Sequence, residues 1–229
     1  MIRPVPVHEC PGMAHDYDTL LWEQMGALAD LAKSLEPADW DHPSLCDGWR
    51  VRDVYGHMCV GHTYPLPKLL AKVAAHGFDV DKGSAKESAA WADAHTPDEI
   101  AATIDHIATD HVRKGIAKLI PDSDGYVDHV IHEFDIRRPL GRPRELAGDR
   151  KVAALDAMLL AKGGGTKPKK RMEGLSFTAT DVDWSTGSGP EVRGTAEALL
   201  LGLANRDVAL GELDGEGAAS FAGRVGANA

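Results

Sequence analysis

Cysteine is scarce in this 229-residue chain, basic residues are outnumbered by acidic ones, and long apolar runs are missing. Each shortage excludes something. With 25 Lys and Arg against 35 Asp and Glu, the formal net charge is −10, so no basic surface is on hand to neutralise phosphates and nucleic acid is not an expected partner. No run of about 18 apolar residues occurs, which argues against a membrane-spanning helix. The opening Met-Ile-Arg-Pro-Val-Pro-Val-His has no apolar core behind basic residues, so a signal peptide is not expected and the cytoplasm is the expected compartment. The three cysteines, Cys10, Cys46 and Cys59, are odd in number and form no CxxC pair, which points to reduced thiols. Cys59, inside an apolar helical stretch, reads as a small core residue, and Cys46, just before Asp47-Gly48-Trp49, as loop packing.

What is present is the patterning of a mainly helical protein with a smaller α+β part. Residues 1–13 carry three prolines and no period, and read as an extended tail. Leu20, Leu21, Met25, Leu28, Leu31, Ala32 and Leu35 recur at helical spacing, which predicts helix one over Asp16 to Leu35. A second helix is expected from Val51 to Val73, kinked or split at Tyr64-Pro65-Leu66-Pro67. His76 to Thr96 reads as a long polar connection with a short helical piece near Trp91. Thr96-Pro97-Asp98-Glu99 is a helix start, and Ile100, Ile104, Ile107, Val112, Ile116 and Leu119 carry helix three to Ile120. Helix four follows the break at Pro121 to Gly125 and ends at Pro139 and Gly141. Four helices in this order predict a four-helix bundle over residues 1–142.

Residues 143–229 differ in character. Arg150 to Lys162 is a further helix, Gly163 to Lys170 a glycine- and lysine-rich linker, and Leu175 to Trp184 an alternating strand. Ser185 to Pro190 reads as a turn, and Val192 to Thr195 as the opening of a buried helix over Ala196 to Ala204. This is a small α+β domain.

Chemistry concentrates on helix four. Asp128, His132 and Asp135 stand at i, i+4 and i+7 and share one helical face. His57, on a different helix and near its start, is the natural third ligand beside Asp128 and His132. Two imidazoles and one carboxylate with an open position suit a catalytic zinc. The competing reading is a polar bundle interior satisfied by hydrogen bonds. His129 and Glu133 form a rival i, i+4 pair, either solvent-facing or ligating. Asp135 is either an acceptor behind the ligands or the ion-pair partner of Arg137 or Arg138. His62, His106 and His111 read as surface or hydrogen-bonded histidines.

The segment from Leu45 to His57, Leu-Cys-Asp-Gly-Trp-Arg-Val-Arg-Asp-Val-Tyr-Gly-His, resembles the CxGWxVxDVxxH segment of the mycothiol-dependent maleylpyruvate isomerase family, a branch of the DinB-like metalloproteins. Asp128 to Gly141 resembles that family's second metal segment, and Asp181 to Leu201 its sterol-carrier-like C-terminal domain. The resemblance implies a DinB-like bundle with His57, Asp128 and His132 as ligands of zinc or another divalent metal. It implies Arg224 as an arginine for an acidic substrate, and mycothiol as a thiol cosubstrate. Two departures stand out: Asp128 replaces the usual Glu, and Arg50 replaces a usual Thr and so removes a helix cap.

The chemistry implied is activation of mycothiol as a thiolate for attack on a small electrophile, with thiol transfer as the leading outcome. Maleylpyruvate-type cis-trans isomerisation and ligand binding without chemistry are the alternatives. A hydrolase would need Glu133 as its base. The partners expected are a small thiol and a small electrophile, on a monomer or homodimer.

Overall fold

The structure, a computed structural model, describes residues 15–75, 79–161 and 168–226. The N-terminal tail with Cys10, and most of the 163–170 linker, lie outside the described residues. The helical part begins with α1, Tyr17–Ser34, whose first turn is capped by Asp16 accepting from the Thr19 amide at 3.2 Å. Leu21, Met25, Leu28 and Ala32 on this helix are buried, the stripe expected from spacing. Helix α2, Val51–Thr63, stops before Pro65, and α3, Leu66–Ala75, resumes after it, so the expected second helix is split. The missing hydroxyl cap at Arg50 is replaced from the other side. Asp53 accepts from the Arg50 amide at 2.8 Å and from its guanidinium at 2.8 and 3.0 Å.

Two expectations fail here. The polar connection before Thr96 is a full helix, α4, Val80–Asp93, packed along α2. Its sequence lacks a strong apolar stripe because Trp91 is the one large apolar residue among the described residues buried along it, Gly83, Glu87, Ser88, Trp91 and Ala92. Helix three, α5, Pro97–Thr109, is shorter than expected, since His111 adopts φ +50° and Gly115 φ +53°, which break the helical path. Ile116 and Leu119, expected on its buried stripe, lie beyond its end and are exposed. The helix start at Thr96 is as expected, and Thr96 and Glu99 form a capping box there.

Helix α6, Asp122–Arg137, is the centre of the bundle, with twelve of its sixteen residues buried. It packs on α1, α2 and the next helix, α7, Gly148–Leu160. Beyond the short α8, Pro168–Met172, come three strands, β1 Ser176–Ala179, β2 Ser185–Gly187 and β3 Glu191–Gly194. They form one sheet in the order β2-β1-β3. Phe177 pairs with Thr186 in the antiparallel register and with Val192 in the parallel one. Ser185 to Gly187, expected as turn, and Val192 to Gly194, expected to open a helix, are thus strands. The turn proper lies at Gly187 and Gly189, with φ +79° and +123°, where a Cβ would fall 2.4 and 2.3 Å from a backbone oxygen.

Helix α9, Ala196–Leu203, is buried on α7 and the sheet, as its run of leucines requires, and α10, Ala218–Ala222, closes against β3. One contiguous apolar core runs from α1 to Val225. The architecture is a helical bundle with a small α+β part. Among the described residues no helix is long and apolar enough to cross a membrane.

Candidate metal centre

His57 lies in the second turn of α2, and Asp128 and His132 lie one turn apart on α6. Each offers one donor atom, and the three donors lie within 4.8 Å of one another. Asp128 Oδ1 is 3.6 Å from His132 Nε2. Two ligands of one tetrahedral zinc, with bonds near 2.0–2.1 Å, sit about 3.3–3.4 Å apart. The aspartate therefore already reaches. The two imidazoles meet edge to face with centroids 5.1 Å apart, and Trp49 flanks His57 at 5.6 Å.

Each imidazole is held from behind by its other nitrogen. His57 Nδ1 is 3.2 Å from Ser84 Oγ on α4, and His132 Nδ1 donates to Asp135 Oδ2 at 2.9 Å. Both rings thus keep Nε2 for the centre, the arrangement found behind ligating histidines. Asp135 is fully buried, and Arg206 grips it through Nε and Nη2, each at 2.8 Å. Cys46 completes the cluster. Its thiol donates to Asp135 at 3.1 Å, accepts from Arg206 Nη2 at 3.1 Å and lies 3.9 Å from His132 Nδ1.

Electrostatics divide the two imidazoles. Burial, reinforced by nearby His132, pushes His57 down to about 4, which keeps it neutral. Burial would lower His132 too, but Asp128, Asp135 and Cys46 outweigh it and hold it well above the ordinary value. Carboxylates that favour a proton there favour any cation between them. Asp128 would be raised by burial, yet the surrounding imidazoles leave it lowered, and its side chain is 46% exposed, so the centre has an open side. Burial likewise opposes ionisation of Asp135, and Arg206 and His132 overcome it.

A second group of donors, Cys46, His132 and Asp135, also falls within 4.8 Å. The Arg206 guanidinium already touches both Cys46 and Asp135, and its charge opposes a cation there. The first group carries no such cation among the described residues.

The remaining candidates are placed as follows. Asp135 is brought to the site as an acceptor behind His132, and its ion pair is with Arg206 instead of Arg137 or Arg138. Arg137 pairs with Glu133, and Arg138 with Glu197 and Glu212. Arg224 donates to the carbonyls of Arg171 and Glu173 at 2.8 and 2.6 Å, and none of its partners belongs to the centre. Glu133 and His129 are buried, not solvent-facing. Glu133 is held by Arg137, Arg144 and Gln24 at 2.6–2.9 Å, which leaves no free carboxylate for a hydrolytic base. His62 is buried with Nδ1 on the Val112 carbonyl, His106 pairs with Asp110, and His111 stacks on Trp22. Cys59 is fully buried as expected. Sequence reasoning missed Ser84 and Arg206; neither lies at a recognisable spacing from the histidine it serves.

Comparison with known proteins gives a family match over part of the chain. Residues 21–120 match the model of the mycothiol maleylpyruvate isomerase N-terminal domain, a stretch that holds His57 and ends before Asp128. Among curated proteins no match is found. Two crystal structures are similar in fold. One, of a point mutant of the mycothiol-dependent maleylpyruvate isomerase, has a TM-score of 0.55 at 14% identity over 87% of this chain and 91% of the other. The second, of the mycothiol-dependent maleylpyruvate isomerase, has a TM-score of 0.53 at 15% identity over 83% of this chain and 88% of the other. Over residues 21–120, less than half of its length, this chain is similar to the mycothiol maleylpyruvate isomerase N-terminal domain family.

Proposed function

We propose that the protein holds one divalent metal, zinc by its donor set, at His57, Asp128 and His132, and uses the centre to direct a small thiol, mycothiol, onto a small electrophile. The observation that carries this reading is the convergence of three donors on an open side, with both imidazoles anchored from behind. Bound there, the metal would supply Lewis acidity that turns a thiol, ordinarily titrating near 8.5, into a thiolate at neutral pH. The chain's own residues do the rest. Ser84 and Asp135 fix the two imidazoles, and Arg206 keeps Asp135 ionised. Trp49 covers one flank of His57, and the half-exposed Asp128 marks the side from which thiol and electrophile enter. Asp135 acts through His132, as a positioning residue. Among the described residues Cys46 and Cys59 are free thiols, which supports a reducing, cytoplasmic compartment.

Transfer of the thiol to the electrophile is the leading outcome. Isomerisation is the second reading, favoured by the family model and by the two similar structures, both of maleylpyruvate isomerases. The test is metal content of the purified chain beside His57→Ala and His132→Ala, followed by mycothiol-dependent turnover. About one zinc per chain, lost in both variants together with turnover, is the expected result. Stable thioether would establish transfer, and a cis-trans change without net loss of thiol would establish isomerisation. A wild-type chain that neither contains nor takes up metal would sink the proposal in favour of ligand binding without chemistry.

A further inference from the structure

Helix α4 lies closer to α2 than any other feature of the sequence suggests. A Cβ placed on Gly56 would fall 2.4 Å from the Ser88 carbonyl oxygen and 3.2 Å from Ala92 Cβ, so the two helices meet at backbone contact one residue from His57. Ser84 stands one helical turn before Ser88 and so on the same face of α4. Its hydroxyl lies 3.2 Å from His57 Nδ1, and among the described residues no other hydrogen-bond partner for that nitrogen is found. His132, by contrast, is anchored by a buried carboxylate that is itself gripped by Arg206.

We infer that Ser84 is the positioning residue that orients His57, and that α4 thereby sets the affinity of the centre for its metal. This inference rests on the metal reading above. A half-turn of an imidazole about its Cβ–Cγ bond puts Cδ2 where Nδ1 was and Cε1 where Nε2 was, so the ring would lose its donor atom toward the centre. A hydroxyl held on Nδ1 keeps Nε2 toward Asp128 and His132. A neutral hydroxyl is a weaker anchor than the ionised Asp135, so His57 is the more adjustable of the two imidazoles. Loss of such a supporting hydrogen bond typically costs 10- to 100-fold in metal affinity.

The test compares wild type with Ser84→Ala, Ser84→Thr and Ser88→Ala. Zinc affinity is read by competition with a chromophoric chelator, cobalt substitution by its visible absorption, and fold by urea unfolding of the metal-free chain. Ser88 is the control on the same helix face, because its hydroxyl is buried and among the described residues has no hydrogen-bond partner. We expect Ser84→Ala to lose about 10-fold or more in zinc affinity and to shift the cobalt spectrum. Ser84→Thr should recover most of that loss, and Ser88→Ala should bind as wild type. Wild-type affinity in Ser84→Ala overturns the inference and leaves the metal reading standing. Equal losses in Ser84→Ala and Ser88→Ala would also overturn it, since helix packing would then be the cause. Failure of wild type to bind zinc or cobalt overturns both.

Discussion

His62 and His129 face one another inside the bundle with centroids 5.2 Å apart, and each is about 5% exposed or less. Burial lowers both, His129 to about 3. The groups around them pull in both directions. Asp128 favours protonation of either ring, Arg113 opposes it at His62, and His62, His132 and His57 oppose it at His129. His129 is therefore neutral in the folded metal-free chain where an unfolded histidine, titrating near 6.5, takes up a proton, and His62, lowered in the same direction, binds its proton less readily than it would unfolded. The sign follows from linkage. Below about pH 6.5 the unfolded state binds more protons, so stability falls with acidity by up to about 1.4 kcal/mol per pH unit for each such ring. His57, lowered to about 4, adds a slope of the same sign. His132, raised, stays protonated in the folded state and adds a small slope of opposite sign, which fades as the unfolded histidine fills below its own pKa near 6.5. Urea unfolding of the metal-free chain at pH 6.5 and 5.0 should show this loss. In His129→Gln the loss between those two pH values should shrink by on the order of 2 kcal/mol. An unchanged pH dependence would mean that His129 is not held neutral.

At the scale of elements, the contact of α2 with α4 makes a prediction of its own. Gly56→Ala puts a methyl group against the Ser88 carbonyl, backbone that cannot swing aside as a flexible side chain can. We expect the unfolding free energy to drop by about 1–3 kcal/mol, as overpacking does. Zinc affinity should drop too, although no polar atom has been removed, because α4 carries Ser84 away from His57. A variant as stable as wild type would show that the helices can part without cost. The same contact explains which elements were legible in the sequence. α1 and α5 bury leucines and isoleucines at helical spacing, and α5 opens with a capping box, so both were visible. α6 was visible by its polar face and by the break at Pro139 and Gly141. α4 was not, since Trp91 is the one large apolar residue among the described residues buried along it, and the close approach of Gly56 to Ser88 and Ala92 leaves no hydrophobic period to read. The strands β2 and β3 are three and four residues long, shorter than a period-2 pattern needs to stand out. The site followed the same rule. Asp128, His132 and Asp135 share a helix face and could be grouped by spacing, His57 stood out near the start of a different helix, and the resemblance of the Leu45 to His57 segment implied the same ligand. Ser84 and Arg206 reach the site only through tertiary packing.

Across the whole molecule, that packing ties the α+β part to the bundle at the ligand helix. We propose residues 142 and 143 as the border between the two parts along the chain, although the apolar core continues across it. Arg206, following α9, spans the border to Asp135, which is 0% exposed, while Arg144 spans it to Glu133, also buried. A buried carboxylate tolerates burial only while its cation stays, so removing one partner costs more than removing both. Arg206→Met should therefore lose about 3–5 kcal/mol of stability. Asp135→Asn combined with Arg206→Met should lose less than Arg206→Met alone, since no charge is then stranded. The pair also positions His132, so the double variant should still show weakened zinc binding even where its stability recovers. A chain ending at residue 142 lacks both arginines and should fail to unfold as a cooperative unit. Calorimetry of the intact chain, by contrast, should show one transition for both parts. An Arg206→Met variant within 1 kcal/mol of wild type, or two separate transitions in the intact chain, would mean that the two parts fold independently. The centre would then belong to the bundle alone.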